Sequence, residues 1–266
     1  GRHVTTIVSQ LRDAGLAGAE VWVTQANVNS DFPTQSDPPS PDGTPVSGNM
    51  QSVPFVVDRR GTSAFYAAWQ PYMFSQIGRS GAAALFHWGY TGGQNPDGGG
   101  VSLDTQNGEV SYADDGGTKY LSYWVDSTLA RTYGRQPSAP AQTILPSWVT
   151  DGSQSVDVLA TRTTDGSTLV MVSNIATTAD AGAPNGPGQP RSVIVDLAPL
   201  GAGATSAWVL QVDADTSLAA GPACAPITVG VDQRVLLTFG GYGMAVLTIA
   251  SAQDAGAPQS GPCASP

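Results

Sequence analysis

The spacing of apolar residues divides the chain into two halves with different periods. In residues 1–134, three stretches repeat apolar residues every three or four positions, as amphipathic helices do: "HVTTIVSQLRDAGLAG", "SAFYAAWQPYMFSQIGRSG" and "GTKYLSYWVDSTLARTYG". Between them lie two continuous apolar runs, "EVWVTQ" and "AAALFHWGY", which predict buried strands. The order helix, strand, helix, strand, helix is typical of parallel α/β architecture.

Each predicted helix has an apolar face that should point to a core. We expect a bend or restart of the second helix at Pro71, and an end of the third helix at Gly134. The residues predicted on the three faces are Val4, Ile7, Val8 and Leu11; Phe65, Trp69, Tyr72 and Met73; and Leu121, Trp124, Val125 and Leu129.

Two parallel strands do not make a stable sheet. Parallel strands are normally covered on both faces and paired at both edges. The first half therefore predicts that further strands, supplied before Gly1, complete its sheet.

From about Gln142 the apolar residues alternate with period two. "SVDVLATRTTDGSTLVMVSNI" predicts a hairpin with a turn at "TDGS", and five more short runs predict further strands: "RSVIVDLAPL", "SAWVLQVDAD", "PITVGV", "RVLLTF" and "GMAVLTIAS". This pattern indicates an antiparallel β-sandwich. We therefore predict an α/β domain over residues 1–135 and an all-β domain over residues 136–266, with a linker at residues 136–142.

Charge and cysteine content narrow the class of protein. A net charge of −10 without clustered Lys or Arg argues against nucleic acid and anionic membranes as partners. No apolar run is long enough to span a bilayer. The only two cysteines, Cys224 and Cys263, are either bonded, as in an exported protein, or two free thiols. We expect a secreted or periplasmic protein.

Most common catalytic motifs are missing from the sequence. It has no nucleophile elbow, phosphate-binding loop or dinucleotide fingerprint, and its two histidines, His3 and His87, lie far apart. Asp213 and Asp215 alternate as in a calcium loop but lack the rest of that motif. We expect no cofactor and no metal.

Polar and aromatic residues gather where the two predicted strands end. Gln25 and Asn27 follow the first strand, and His87, Trp88 and Tyr90 follow the second. Ligands of parallel α/β proteins bind beyond the carboxyl ends of the strands. A sugar suits such residues, because its C–H face stacks on an aromatic ring while its hydroxyls bond to amides.

Strand alternation gives these residues expected directions. Val21, Val23 and Gln25 should share one side, with Trp22 and Thr24 on the other. If the valines face a barrel interior, Gln25 lies at the carboxyl-terminal end of that interior and Trp22 packs beneath the helices. Phe86 and Trp88 should likewise share a side.

These motifs resemble the C-terminal part of a clan A retaining glycoside hydrolase of the β-xylosidase and α-L-iduronidase type. "VWVTQAN" resembles the end of the seventh barrel strand, with Gln25 at the position of the nucleophile, and "LFHWGY" resembles the end of the eighth, with Trp88 in the sugar subsite. The resemblance implies a (β/α)8 barrel followed by a β-sandwich. It implies substrate contacts from Trp88, Asn27, Tyr90 and His87. Three of these have a structural alternative: core packing for Trp88, packing under a helix for His87, and loop contacts for Asn27.

The resemblance also implies which parts of the barrel are elsewhere. This chain would supply the sixth helix, strands seven and eight with their helices, and the sandwich. Strands one to six and the acid/base carboxylate would come from a preceding segment, which we expect as a companion chain after cleavage in a loop.

Gln25 departs from the pattern of the family. Retaining hydrolysis needs two carboxyl groups about 5 Å apart, and an amide neither forms a stable glycosyl ester nor stabilises an oxocarbenium-like transition state. Three explanations stay open: a Glu-to-Gln change introduced to trap substrate, a natural loss that leaves a carbohydrate-binding pseudoenzyme, or a motif alignment that is wrong.

Overall fold

The computed structural model describes residues 2–26, 64–87, 119–134, 142–177, 186–200, 206–249 and 262–263. These residues form three helices and ten strands, with one short 3₁₀ turn at Ala198–Leu200. The helices are α1 (Arg2–Asp13), α2 (Ala64–Arg79) and α3 (Leu121–Tyr133). The strands are β1 (Trp22–Ala26), β2 (Ala84–His87), β3 (Gln142–Leu145), β4 (Val156–Thr163), β5 (Thr168–Asn174), β6 (Arg191–Asp196), β7 (Ser206–Asp213), β8 (Cys224–Thr228), β9 (Arg234–Phe239) and β10 (Gly243–Ile249).

The two strands predicted in the first half form a parallel pair, β1–β2, as the alternation of helices and strands indicated. Trp22 pairs with Ala84 and Val23 with Leu85. The next paired positions are Ala26 and His87, so β1 has one residue more than β2 over this interval and the register shifts. A β-bulge of this kind interrupts the alternation of side chains along the bulged strand.

The faces of the parallel pair differ from the expectation. Trp22 was expected to pack beneath the helices, yet its side chain is 56% exposed and contacts Phe86, itself 46% exposed, at a ring-centroid distance of 5.8 Å. Val23 and Leu85, on the opposite face, are half-buried. The aromatic pair is therefore the uncovered face of this sheet within the described part of the chain.

Helix α1 is amphipathic but buries no residue. Three of its four predicted core residues, Val4, Val8 and Leu11, are half-buried, while Ile7 is 45% exposed. The predicted apolar face of α1 is therefore present, but the described residues bury it only in part.

Helix α2 runs without interruption through Pro71, where a bend or restart was expected. The predicted face of Phe65, Trp69, Tyr72 and Met73 is only half-buried. The buried side is instead built around Tyr66, which is fully buried and whose hydroxyl donates to Asp126 Oδ2 of α3 at 2.8 Å. The sequence pattern predicted that the more aromatic face of α2 is buried. In the structure the opposite face packs on the sheet and is buried instead.

Helix α3 agrees with the prediction. Leu121, Trp124, Val125 and Leu129 are all buried, and the helix ends where the N–H of Gly134 donates to Ala130 O at 2.8 Å.

The second half forms two antiparallel sheets, as its period-two pattern indicated. The larger has six strands in the order β3-β4-β5-β10-β7-β8, and the smaller pairs β6 with β9. The predicted hairpin is β4–β5, and Gly166 of its turn has φ +90°. Strand β3, at one edge of the larger sheet, was not predicted individually. At the other edge β8 contains Pro226, opposite Trp208.

The central strands of the six-stranded sheet are buried on both faces. One face shares a core with the β6–β9 sheet, where Val195 and Phe239 pack with Val172 and Leu247. The other face packs against α2 and α3 in a second core formed by Tyr66, Ala67, Leu121, Trp124, Val125, Leu129, Leu159, Met171, Leu210, Val212, Met244 and Val246. Every residue of β5 and β10 is consequently buried.

A disulfide resolves the alternatives for the two cysteines. Cys224 of β8 is bonded to Cys263, 39 positions further along the chain. The crosslink places Cys263 beside the helix-side core. None of the described helices is long and apolar enough to cross a lipid bilayer.

Candidate functional site

The carboxyl ends of β1 and β2 bring two of the predicted site residues together. Gln25 is the penultimate residue of β1, and His87 is the last residue of β2. Ala26, which follows Gln25, is the register partner of His87. The backbones of the two predicted site positions therefore lie side by side at one edge of the parallel pair. Asn27, Trp88 and Tyr90 lie outside the described residues, as do the side chains of Gln25 and His87.

The shifted register bears on the expected direction of Gln25. The expectation that Val21, Val23 and Gln25 share one side assumes unbroken alternation along β1. The irregularity between Val23 and Ala26 interrupts that alternation before Gln25. The catalytic assignment of Gln25 stays a prediction, and it cannot be derived by counting from the valines.

The turn between α2 and β2 fixes where β2 begins. Gly81 has φ +89°, and a side chain there would contact Val8 of α1 at 3.4 Å. Two residues later, the N–H of Ala83 donates to Val21 O at 2.8 Å, which joins the start of β2 to the residue before β1. The turn therefore fixes the start of β2 next to α1 and β1.

Neither β1 nor β2 contains an acidic residue. Glu20 precedes β1, and its Oε2 accepts a hydrogen bond from Trp22 Nε1 at 2.9 Å. Asp31, Asp58 and Glu109 lie outside the described residues. Among the described residues, no group of three or more His, Cys, Asp and Glu could hold a metal ion. Asp213 instead organises its own turn by accepting from the N–H of Asp215 at 3.0 Å.

A groove of about 880 Å³ lies between α1 and α2. Its walls carry hydroxyl and amide groups with one arginine and one tyrosine, and sequence reasoning did not identify it. The lining residues are Arg2, Thr5, Thr6, Ser9, Gln10, Tyr72, Met73, Gln76 and Ser80.

Sequence reasoning also missed a polar cluster beneath the last turn of α2. Asp157 of β4 accepts a hydrogen bond from Gln76 Nε2 at 3.0 Å, and the guanidinium of Arg79 donates to Ser147 Oγ at 2.8 Å. Burial raises the pKa of the Asp157 carboxyl. The sequence carries no signal for this cluster, because Asp157 stands between Val156 and Val158 in "SVDVLA", where alternation allows a polar residue on a solvated face.

The comparisons with known proteins identify a shared fold. No protein-family model matches the chain, and no curated protein matches it in sequence. Among solved structures, CelM2, a bifunctional glucanase-xylanase protein from a metagenome library, matches 94% of this chain with a TM-score of 0.53 at 12% identity. The catalytic domain of GH30 xylanase C from Talaromyces cellulolyticus matches 93% with a TM-score of 0.54 at 14% identity.

Both matches cover only part of the longer enzyme. The chain spans 34% of the length of CelM2 and 49% of that of xylanase C. At these identities the likeness concerns the fold alone. The chain therefore has the fold of a part of these glycoside hydrolases.

Proposed function

We propose that this chain is the C-terminal part of a carbohydrate-active (β/α)8 barrel, residues 1–135, followed by a β-sandwich domain, residues 136–266. The observation that carries the proposal is the parallel pair β1–β2, whose carboxyl ends lie together within a fold shared with two glycoside hydrolases. In this assignment β1 and β2 are the seventh and eighth barrel strands, and α1 is the sixth helix.

A companion segment or chain would supply the remaining strands. Three observations support it: the uncovered Trp22–Phe86 face, the absence of buried residues on α1, and the partial coverage of both longer enzymes. A barrel interior is packed with side chains, so the face bearing Trp22 and Phe86 would become internal once the barrel closes. The companion would also carry the acid/base carboxylate.

The proposed site is of the retaining glycoside hydrolase type, with Gln25 where the nucleophilic carboxylate would stand. A carboxylate at that position attacks the anomeric carbon while the second carboxyl protonates the leaving oxygen. With an amide at position 25, the first step does not yield a stable glycosyl-enzyme. With Gln25 in place, the chain would therefore bind carbohydrate with little or no turnover, either as an impaired hydrolase or as a carbohydrate-binding pseudoenzyme.

Four neighbouring residues complete the proposed site. Trp88 would present its ring to a sugar face, while Asn27, Tyr90 and His87 would bond to hydroxyl groups. No cofactor is needed for this chemistry. The bonded pair Cys224–Cys263 supports export of the protein, because disulfides persist in oxidising compartments.

The test uses the chain together with the coding segment that precedes it. Binding of xylo-, gluco- and arabino-oligosaccharides is measured by calorimetry, and hydrolysis is measured on the matching aryl glycosides. We expect binding by the unaltered protein, and hydrolysis with retained anomeric configuration by Gln25→Glu. Gln10→Glu introduces the same charge on the exposed side of α1 and should leave hydrolysis absent.

The outcomes separate the two forms of the proposal. If Gln25→Glu binds carbohydrate but does not hydrolyse it, the pseudoenzyme is favoured and the hydrolase form of the proposal is refuted. Absence of binding by either protein would refute the carbohydrate site. If the chain alone is compact in native mass measurement and does not associate with its preceding segment, the companion is refuted.

A further inference from the structure

The groove between α1 and α2 has two walls of similar length and chemistry. Its lining runs from Arg2 to Gln10 on α1 and from Tyr72 to Ser80 on α2. At a rise of about 1.5 Å per residue, each wall is about 12 Å long. Hydroxyl and amide groups prevail along both walls, and one of them carries the ring of Tyr72. The groove is therefore longer than a single sugar ring and can donate and accept hydrogen bonds along its length.

The α2 wall of the groove is fastened to the β-sandwich. Gln76, which lines the groove, donates through Nε2 to Asp157 Oδ1 of β4 at 3.0 Å. Arg79 follows three positions later, so its side chain neighbours that of Gln76 on the surface of the helix. Arg79 donates to Ser147 Oγ at 2.8 Å and to the carbonyl oxygen of Val158. The segment that follows β3 is thus held beside the groove.

The residue after Ser147 is an exposed tryptophan. Trp148 is 65% exposed. Besides its bond from Arg79, Ser147 Oγ accepts from the N–H of Ala160 at 3.3 Å and donates to the carbonyl oxygen of Val158 at 3.3 Å. A tryptophan side chain has only two rotatable angles, and the anchored neighbour lowers the cost of ordering it further. The indole is therefore a large apolar surface that is already in place for a ligand.

The chemistry of this surface favours an uncharged ligand with many hydroxyl groups. Among the described residues that line the groove, Arg2 is the one charged side chain, and the net charge of −10 disfavours polyanions. A protein partner needs an apolar interface core, which walls of hydroxyl and amide groups do not offer. A sugar chain fits both parts of the surface, because its C–H faces stack on aromatic rings and its hydroxyls bond to amides and hydroxyls.

We propose that the groove between α1 and α2, with Trp148 beside it, is a second carbohydrate-binding surface that holds a neutral polysaccharide. The proposal rests on the proposed function for the class of ligand, but it does not depend on the role of position 25. One sugar ring would lie on the indole, and the linked rings would follow the groove. The two sites are distinct, because Ser80 of the groove precedes the start of β2, whereas the candidate site lies at the carboxyl end of that strand.

Affinity electrophoresis in native gels with soluble xylan, β-glucan or arabinan tests the surface, using the chain together with the coding segment that precedes it. We expect at least one polysaccharide to retard the unaltered protein. Trp148→Ala should weaken that affinity about tenfold, because one large apolar side chain no longer covers the sugar. Ser9→Leu places an apolar group in the groove on the exposed side of α1 and should weaken it as well. The control Leu236→Ala removes another exposed apolar side chain, on the β6–β9 sheet, and should leave retardation unchanged.

Calorimetry with short oligosaccharides separates this surface from the proposed barrel site. Trp88→Ala should lose oligosaccharide binding at the barrel but keep the retardation by polysaccharide, and Trp148→Ala should show the reverse. The second surface is refuted if no polysaccharide retards the unaltered protein, or if Trp148→Ala and Ser9→Leu are retarded as strongly as the unaltered protein. It is also refuted if Trp88→Ala alone abolishes retardation, because the barrel site then holds the polymer. Retardation that depends on Trp148, without any binding at the barrel, would refute the barrel site and leave the second surface standing.

Discussion

The two-sided burial of the six-stranded sheet predicts that core truncations on either face are equally damaging. Met171 of β5 faces α2 and α3, whereas Leu247 of β10 faces the β6–β9 sheet, and their side chains are 1% and 0% exposed. Truncating a buried Met or Leu to Ala costs about 2–5 kcal/mol. An outer, solvated sheet face would instead give a loss within about 0.5 kcal/mol. Met171→Ala therefore distinguishes a helix-covered face from a solvated one by at least about 1.5 kcal/mol.

Urea unfolding followed by tryptophan fluorescence measures these losses. We expect Met171→Ala and Leu247→Ala to lower the free energy of unfolding by similar amounts at unchanged m-value. The control is Leu236→Ala, because Leu236 is 59% exposed and should tolerate truncation. A loss below about 1 kcal/mol for Met171→Ala beside a full loss for Leu247→Ala would refute the claim that the helices seal the sheet.

Two further predictions concern the crosslink and a close approach of backbone to a ring. Replacing Cys224 and Cys263 by serine opens a 39-residue loop, and loop-closure entropy puts the loss of stability at about 4 kcal/mol; a loss below about 1 kcal/mol in urea unfolding would contradict this. Gly221→Ala should cost about 1–3 kcal/mol more than Gly152→Ala. Both glycines have positive φ, but only at Gly221 would the new Cβ lie 2.4 Å from the Trp124 ring. Equal melting temperatures of the two glycine variants would contradict the clash.

Local periodicity was sufficient to predict those elements whose structure is specified by residues close in sequence. The hairpin β4–β5 and the buried face of α3 follow from alternation and helical spacing, because a turn signal or a single apolar stripe specifies each of them. Strand β3, "QTIL", escaped individual prediction because its four residues neither alternate nor form a continuous apolar run.

Features that depend on distant partners were not predictable in this way. The buried side of α2 is selected by β5 and β10, which lie about a hundred and more positions away, and the sequence pattern favoured Phe65 and Trp69 instead. At the candidate site, the closeness of Gln25 and His87 followed from the rule that parallel strands end together. The bulge before Ala26 could not be predicted from the sequence of β1, because a register shift is defined only relative to the paired strand β2.

The edges of the sheets differ in how readily another strand could add to them. Unpaired edge strands offer free N–H and C=O groups, which proteins block with short strands, proline or charge. In the six-stranded sheet, β3 has only four residues, and β8 contains Pro226, which donates no hydrogen bond, beside the crosslinked Cys224. The sequences of β1 and β2, "WVTQA" and "ALFH", contain no proline, lysine or acidic residue. Strand addition is thus discouraged at the edges of the large antiparallel sheet, whereas β1 and β2 carry none of these blocking side chains.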